Sequence, residues 1–232
     1  MIYVISDIHG EYEKYVAILK KINFSDSDTL FVLGDVIDRG PEPVKILKDM
    51  SIRHNVYPIF GNHEIMALDV LKILLADITE DNYATQITSE VLNKMYVWQK
   101  NGGNTTLEKF KALPADERLD LLEYMEDFSP YETVTIGGKK FILTHSGLGS
   151  DFTENTPLSS LNFSLLAFDR SDYHRYFTDD SVFVVSGHTP TITITGEAKM
   201  YHSRNNINID CGAVFGGKLA CLCLDTTEEF YI

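Results

Sequence analysis

The amino-acid sequence predicts an α/β fold, because apolar strands alternate with amphipathic helices over the first third of the 232-residue chain. Strands are expected at Ile2–Ile5, Thr29–Leu33 and 56–60, and each is followed by a polar loop and then by a helical pattern. Strands that alternate with helices in this way form parallel β-α-β units with right-handed crossovers. All three polar loops should therefore open on one edge of a single sheet.

The helices are predicted from the spacing of their apolar residues. A helix after the first strand should bury its i, i+3, i+4 stripe, which is formed by Tyr12, Tyr15, Val16, Leu19 and Ile22. A second helix should bury Val44, Ile46, Leu47 and Met50. Residues from about 65 to 128 are mostly helical in pattern, and one of these segments should stop at Asn101-Gly102-Gly103. We expect one domain over residues 1–232 with a helical insertion at about 65–128, which either borders a substrate cleft or only covers the sheet.

The second half of the chain is predicted to be richer in strands. Segments 131–136 and 140–144 flank Gly137-Gly138, which is a strong hairpin signal. A further strand is expected at Val182–Ser186. Four short strands should follow, at 191–195, 206–210, 218–224 and 229–232.

Composition and charge narrow the classes of function. Hydrophobic residues make up 44% and charged residues 23%, which is ordinary for a soluble protein. The net charge of −14 argues against a nucleic-acid partner, which needs a basic face, but bound cations could still attract anionic substrates. The chain shows no signal core and no apolar run near the ~20 residues of a membrane span. We expect a cytoplasmic protein that binds neither nucleic acid nor membranes, while its oligomeric state is not indicated.

The three cysteines are predicted to be buried thiols. Cys221 and Cys223 alternate along one strand and should share a face, whereas Cys211 stands alone. An odd number of cysteines in a cytosolic chain favours free buried thiols over a metal or redox site.

Polar residues follow the apolar strands at the points where these end. They are Asp7 and His9, Asp35 and Asp38, Asn62 and His63, His145, and His188. Burying several carboxylates together is costly unless cations neutralise them. Carboxylate, imidazole and amide ligands without thiolate suit manganese, iron or zinc.

The number of these side chains suits two ions. Asp7 and His9 would reach one ion, Asn62, His145 and His188 would reach the other, and Asp35 would bridge them. Two cations roughly 3.5–4 Å apart form a clamp for in-line displacement at phosphorus and lower the pKa of a water between them.

Five motifs resemble the phosphoprotein phosphatase family within the calcineurin-like metallophosphoesterases. They are Asp7-Ile8-His9-Gly10, Gly34-Asp35-Val36-Ile37-Asp38-Arg39-Gly40, Gly61-Asn62-His63-Glu64, His145-Ser146-Gly147 and Gly187-His188-Thr189-Pro190. They occur in the family's order from the N-terminus to beyond residue 190. The resemblance implies a four-layer α/β/β/α sandwich and the same six metal ligands: Asp7, His9, Asp35, Asn62, His145 and His188.

The resemblance also implies roles in catalysis. His63 would be the general acid that protonates the leaving oxygen, and Asp38 would hold it. Arg39, Arg170 and Asn62 would contact the substrate phosphate, for which the planar guanidinium fork is better suited than lysine. The alternative for Arg170 is a surface ion pair with Asp169 or Asp172.

Other residues near these motifs receive weaker interpretations. Glu64 is interpreted as a charge favoured at a helix N-terminus. His174 and His202 match no ligand motif and are expected at the surface or behind the ligands. Ser6 and Ser146 depart from the eukaryotic members, while Gly-His-Thr-Pro and segment 206–214 resemble the bacterial and phage type.

The resemblance implies a metal-dependent phosphoesterase. The preferred reading is a bacterial-type serine/threonine or dual-specificity protein phosphatase, in which a hydroxide held by two divalent ions attacks the phosphomonoester directly. Manganese is the first choice for the ions, and iron or zinc are alternatives. The alternative activity is that of a symmetrical diadenosine tetraphosphatase, so the partner is a phosphoprotein or a small phosphorylated substrate. A catalytically silent scaffold would lack a ligand, His63 or Arg39, and none of these is missing.

Overall fold

The computed structural model describes residues 1–75, 83–170 and 176–232, and these ranges contain two five-stranded mixed sheets. Their strands are β1 (Ile2–Ile5), β2 (Thr29–Leu33), β3 (Val56–Ile59), β4 (Glu132–Ile136), β5 (Lys139–Leu143), β6 (Val182–Ser186), β7 (Tyr201–Ser203), β8 (Asn206–Asn208), β9 (Ala220–Cys223) and β10 (Glu229–Tyr231). The helices are α1 (Tyr12–Lys21), α2 (Pro43–Ser51), α3 (Asn62–Leu75), α4 (Tyr83–Gln86), α5 (Ser89–Lys100), α6 (Asn104–Lys111), α7 (Ala115–Glu126), α8 (Phe163–Phe168) and α9 (Ile192–Thr195).

The first sheet has the strand order β10-β9-β1-β2-β3. Strands β1, β2 and β3 are parallel, with Ile5 opposite Val32 and Leu33 opposite Ile59. The three polar loops that leave these strands therefore open on the same edge, as the sequence predicts. Strand β9 runs antiparallel beside β1 and brings the C-terminal part of the chain into this sheet.

The second sheet has the strand order β4-β5-β6-β8-β7. Strands β5, β6 and β8 are parallel, whereas the β4–β5 hairpin and the β7–β8 pair are antiparallel. The loops that leave β5 and β6 carry His145 and His188, so they also share one edge. Two sheets thus present loops with metal-ligand chemistry.

Apolar residues divide the molecule into four layers. Val4, Leu33, Phe141 and Val185 belong to one buried cluster that joins the facing sides of the two sheets. Adjacent residues on a strand point to opposite faces. Ile5 and Val32 accordingly belong to the cluster under helices α1, α2 and α3, together with residues such as Ile18, Leu47 and Leu71. On the outer side of the second sheet, Ile142 and Val184 pack with Leu166 of α8. The order of layers is therefore α/β/β/α, as the family resemblance implies.

In the last third of the chain, one predicted strand is wrong and one observed strand was not predicted. Segment 191–195 was expected as a strand but contains the short helix α9, which ends at Gly196 with φ 79°. Local hydrogen bonds explain the difference, because both the N–H and the hydroxyl of Thr193 donate to Pro190 O. Threonine hydroxyls compete with sheet pairing in this way. Strand β7 was not predicted, and its partner is β8.

The helical region between β3 and β4 is present in the described residues as α3 to α7. Helix α5 ends at Lys100, directly before Asn101-Gly102-Gly103, as predicted. The description of this region as an insertion into one domain stays a prediction. None of the helices in the described ranges has both the length and the apolar character needed to cross a membrane.

All three cysteines are free and buried, as predicted. Cys221 and Cys223 lie in the cluster on the helix side of the first sheet, whereas Ala220 and Leu222 lie in the cluster between the sheets. The two alternating thiols therefore share a face.

Candidate active site

The polar loops converge through strained backbone. Six of the nine non-glycine residues with positive φ in the described ranges belong to the predicted motifs: Asp7, His9, Asp35, Asp38, Arg39 and His188. Such conformations cost roughly 1–3 kcal/mol each and persist only where surrounding contacts enforce them. They concentrate at sites where side chains must be aimed at a common point.

Backbone hydrogen bonds hold the β1 and β2 loops together. His9 N donates to Asp35 O at 2.9 Å, and Gly40 N donates to His9 O at 2.9 Å. A Cβ added at Gly40 would lie 2.1 Å from His9 O, so only glycine allows this approach. The first two motifs are therefore one interlocked unit.

Glu64 organises this unit from the first turn of α3. Its Oε2 accepts the N–H groups of Asp35 and Gly61, both at 2.9 Å. Its Oε1 accepts the N–H groups of Val36 at 2.8 Å and Ile37 at 3.3 Å. Glu64 is completely buried, so its role extends beyond the helix-dipole charge expected from the sequence. The position and residue type were visible in the sequence, but the four donors were not.

Asp35 stands between two groups of imidazoles. Its Oδ2 lies 3.4 Å from His9 Nε2, and its Oδ1 lies 3.4 Å from His145 Nε2. Two groups of side chains have potential metal-ligand atoms that all lie within 4.8 Å of one another. The first group is His9, Asp35 and His63, and the second group is Asp35, His145 and His188. The shared member of both groups is the carboxylate that the sequence predicts as a bridge.

Two histidines are fixed as tautomers that could bind a metal ion through Nε2. His9 Nδ1 donates to Ile37 O at 2.9 Å, and His145 Nδ1 donates to Leu33 O at 2.6 Å. Their Nε2 lone pairs therefore point into the site. Burial is the main reason that the pKa of each imidazole lies well below its usual range. Both rings are thus neutral, which is the form that binds a metal ion.

The second group, Asp35 with His145 and His188, brings several potential ligand atoms close together, and Asn62 lies beside it. His145 Nε2 lies 3.1 Å from Asn62 Oδ1 and 3.4 Å from Asp35 Oδ1, and all three atoms are acceptors. Such a set suits a divalent cation and no neutral hydrogen-bond pattern. His188 Nδ1 lies 3.1 Å from His145 Nε2 and is a further atom that could coordinate a metal ion. Burial, followed by the charge of Arg170, lowers the pKa of His188 to about 4.

Asp7 closes the site from the β1 side. Its Oδ2 accepts the N–H of His188 at 3.0 Å and the hydroxyl of Ser6, so it links the two sheets. It lies outside the two groups defined by the ligand-atom distances above. Burial and then the charge of Asp210 raise the pKa of Asp7 well above its usual range. Burial also raises the pKa of Asp35, with Asp7 as the next cause, so a bound cation would favour the ionised form of both carboxylates.

His63 lies beside the metal-ligand set but is held differently. Its Nδ1 lies 2.6 Å from Asp38 Oδ2, and its Nε2 lies 3.9 Å from Asp35 Oδ2. Asp38 is completely buried and also accepts the indole N–H of Trp98 at 2.7 Å and the hydroxyl of Thr106 at 2.6 Å. Trp98 and Thr106 were missed from the sequence. The lone tryptophan just before a Gly-Gly turn was the available signal.

Arg39 reaches both sides of the first group. Its Nη1 lies 2.5 Å from His9 Nε2, and its Nη2 lies 2.9 Å from His63 Nε2. Its backbone N–H donates to Gly102 O at 3.0 Å, so the turn after α5 fixes the arginine. The turn after α5 therefore borders the candidate site, whereas a role of the helical region in a substrate cleft stays a prediction.

Arg170 lies at an exposed position two residues after α8. Its charge contributes to the lowered pKa of His188, which places it on the His188 side of the site. Asp172, one of its alternative partners, and His174 lie outside the described residues. His202 is exposed and lies 2.6 Å from Glu229, which agrees with its predicted surface position.

Asp210 is a buried acidic residue that the sequence reading did not single out, although segment 206–214 was noted. Its Oδ1 accepts the N–H of Gly212 at 2.9 Å, and burial raises its pKa to about 6. Its charge acts on Asp7, so it stands directly behind the site.

A comparison with protein families agrees with this geometry. Residues 1–217 match the family described as Metallophos, the calcineurin-like phosphoesterases. The chain therefore belongs to this family of metal-dependent hydrolases, which act on phosphoester bonds and use divalent metal ions.

Several curated relatives are tetraphosphatases. A symmetrical bis(5'-nucleosyl)-tetraphosphatase of Wigglesworthia glossinidia brevipalpis is 37% identical over 114 residues, which are 48% of this chain and 42% of the relative. The match to a Buchnera aphidicola relative of the same name covers 32% of that protein, so these alignments span less than half of the relatives. The asymmetrical tetraphosphatase PrpE of a Geobacillus strain is 26% identical, with 93% of this chain and 87% of the relative covered.

Solved structures share the fold over the whole chain. One, assigned only provisionally as a diadenosine tetraphosphatase, has a TM-score of 0.68 at 16% identity and covers 100% of this chain and 92% of the other. A protein-tyrosine phosphatase of a Shewanella species has a TM-score of 0.54 at 17% identity, with 99% and 79% covered. A serine/threonine phosphatase of Saccharomyces cerevisiae also has a TM-score of 0.54, at 14% identity, and the match covers 100% of this chain and 79% of the other.

Proposed function

We propose that this chain hydrolyses dinucleoside tetraphosphates with two divalent metal ions, manganese being the first choice. The observation that carries the metal-dependent reaction is the position of Asp35, whose two oxygens each lie 3.4 Å from an imidazole Nε2 of a different group. The choice of dinucleotide is supported by the names of the curated relatives. Protein phosphatase activity, the preferred reading from the sequence, has only remote structural neighbours behind it.

The residues present fit two ions. Asp7, His9 and Asp35 would hold one ion, and Asp35, Asn62, His145 and His188 would hold the other. The neutral imidazoles, the bridging carboxylate and the amide oxygen form an O- and N-ligand set that suits manganese, iron or zinc. When bound, the ions supply charge neutralisation and lower the pKa of a water molecule.

The chain's own residues perform the remaining tasks. Arg39 donates hydrogen bonds to the phosphoryl oxygens from a backbone position that the hydrogen bond to Gly102 O holds beside the site. Asn62 and Arg170 add phosphate contacts. His63, oriented by Asp38 at 2.6 Å, donates a proton from Nε2 to the leaving oxygen. Arg39 Nη2 is 2.9 Å from that nitrogen, so a phosphate held by the guanidinium lies next to the acid.

The reaction consumes one water. The water oxygen bonds to phosphorus and its proton passes to solvent. One P–O–P bond breaks, the leaving phosphate oxygen takes the proton from His63, and His63 regains a proton from solvent. Cleavage at the centre of a dinucleoside tetraphosphate yields two nucleoside diphosphates. Cleavage at an end yields a monophosphate and a triphosphate.

The test is a comparison of substrates at equal concentrations of manganese-loaded protein. Diadenosine tetraphosphate and a phosphoserine peptide are incubated separately, and nucleotides and free phosphate are separated by anion exchange. We expect nucleotide turnover to exceed peptide turnover by orders of magnitude. Asp35→Asn, purified identically, controls for contaminating enzymes. Peptide turnover orders of magnitude above nucleotide turnover would restore the protein phosphatase assignment.

A further inference from the structure

Phe215 is an exposed aromatic residue at the rim of the candidate active site. Its side chain is 62% exposed, although it is large and apolar. The guanidinium carbon of Arg39 lies 5.1 Å from the centre of the Phe215 ring. The same guanidinium contacts His9 and His63, so the ring adjoins the place where phosphate is held.

The loop that carries Phe215 is rigidly built. Gly212 and Gly216 have φ of 71° and 81° and bracket the turn. Gly217 N donates to Gly212 O at 2.9 Å, which closes it. A Cβ at Gly217 would lie 2.1 Å from Cys211 O, so the chain segments touch at this point. The loop is therefore a fixed support for the ring.

Two charged side chains anchor this loop to the rest of the molecule. Lys14 of α1 donates to Ala213 O at 2.5 Å and to Gly217 O at 3.3 Å. Asp210 accepts the N–H of Gly212 at 2.9 Å. The molecule thus holds an apolar ring in solvent, and this ring differs from other exposed apolar side chains because it lies against Arg39 at the candidate site.

We propose that Phe215 stacks against a nucleobase of the substrate while Arg39 holds a phosphate of the same molecule. Aromatic side chains stack with any base, because every base presents a π face, and such stacking changes affinity about 5- to 100-fold. The ring would therefore favour nucleotides over phosphoesters without an aromatic group. The assignment of the substrate's aromatic group to a nucleobase rests on the proposed function.

The experiment measures binding to the manganese-loaded protein by calorimetry. ADP and pyrophosphate serve as probes, since both carry two phosphates and only ADP carries a base. We expect Phe215→Ala and Phe215→Leu to weaken ADP binding about 5- to 100-fold while changing pyrophosphate binding less than about 2-fold. Phe215→Tyr should retain ADP binding. Phe215→Leu separates the aromatic from the merely apolar contribution.

Ile52→Ala is the matched control for truncating an exposed apolar side chain. Ile52 is 82% exposed and directly follows the C-terminal end of α2. The N-terminal end of α2 follows the loop after β2, so Ile52 lies at the edge of the first sheet opposite to the candidate site. This variant should bind both probes as the wild type does. Equal weakening of ADP and pyrophosphate in Phe215→Ala, or unchanged ADP binding, would overturn the inference.

The binding experiment and the cleavage assay distinguish failure of the stacking inference from failure of the proposed function. If the wild type does not cleave diadenosine tetraphosphate but its ADP affinity depends on Phe215, the stacking inference stands and the substrate assignment falls. If the wild type cleaves the dinucleotide and Phe215→Leu binds ADP normally, the stacking inference falls alone.

Discussion

Asp38 Oδ2 lies 2.6 Å from His63 Nδ1, and both side chains are completely buried. The carboxylate therefore fixes the ring so that Nε2 faces the site. Trp98 N–H, at 2.7 Å from the same oxygen, keeps the carboxylate in this orientation.

His63→Asn should lower the rate of hydrolysis about 10²- to 10⁴-fold, which is the range of general acid catalysis. The loss should be large for alkyl phosphates and small for aryl phosphates, because a good leaving group needs no proton. Steady-state kinetics on both classes measures this difference. Metal content should stay at the wild-type level, since the ligands remain. An equal loss for both classes would argue against the acid role.

Asp35→Asn should weaken metal binding in both groups, because one carboxylate serves both. Mass spectrometry of protein equilibrated with manganese and then desalted should show less than half of the wild-type metal content. Activity should fall with it. Asp26→Asn is the control and should bind metal normally, because it changes an exposed aspartate that precedes β2, whereas Asp35 follows the other end of this strand. Unchanged metal content in Asp35→Asn would rule out the bridging assignment.

Much of the site was predictable because parallel strands deliver their following loops to one edge. Asp35 and His145 are 110 positions apart in sequence, yet each directly follows or nearly follows a strand, and they meet at 3.4 Å. The order of the motifs along the chain identified the other candidate ligands.

Other contacts depend on packing that local patterns do not encode. Trp98 reaches Asp38 only because α5 packs against α3 in one particular orientation. The prediction of a strand at 191–195 was wrong because of local contacts, since the hydrogen bonds of Thr193 outweighed its β propensity. Glu64 was interpreted from its place in α3, but three of its four donors belong to the loop after β2, 27 to 29 positions earlier.

Glu64→Gln should destabilise the folded protein strongly. The amide places an N–H₂ group against two buried N–H donors that now share one carboxylate oxygen. Each buried donor left without an acceptor costs about 1–3 kcal/mol. Urea denaturation measures the loss in the free energy of unfolding.

Glu90→Gln is the matched control for this variant. Glu90 also lies in the first turn of a helix, but its side chain is 79% exposed. We expect a change in unfolding free energy within about 0.5 kcal/mol, as is usual for surface positions. If Glu64→Gln and Glu90→Gln gave similar values, the four hydrogen bonds of Glu64 would contribute nothing beyond a helix-dipole charge.

The cysteines should be inert in the folded protein. Burial raises the pKa of Cys211 to about 12 and moves the pKa of Cys221 upward as well. The thiolate is the reactive form, so an aromatic disulfide reagent at pH 8 should modify no thiol of the native protein but all three in denaturant. In the unfolded chain the thiols ionise near pH 8.5, whereas Cys211 keeps its proton in the folded state.

Between about pH 8.5 and the raised pKa of Cys211, the unfolded state therefore binds fewer protons than the folded state. The free energy of unfolding must consequently fall as the pH rises through this window. One such thiol contributes at most about 1.4 kcal/mol per pH unit. Cys211→Ala should show a shallower decline of unfolding free energy between pH 8.5 and 10.5 than the wild type. Identical slopes in the two proteins would show that this thiol ionises equally in both states.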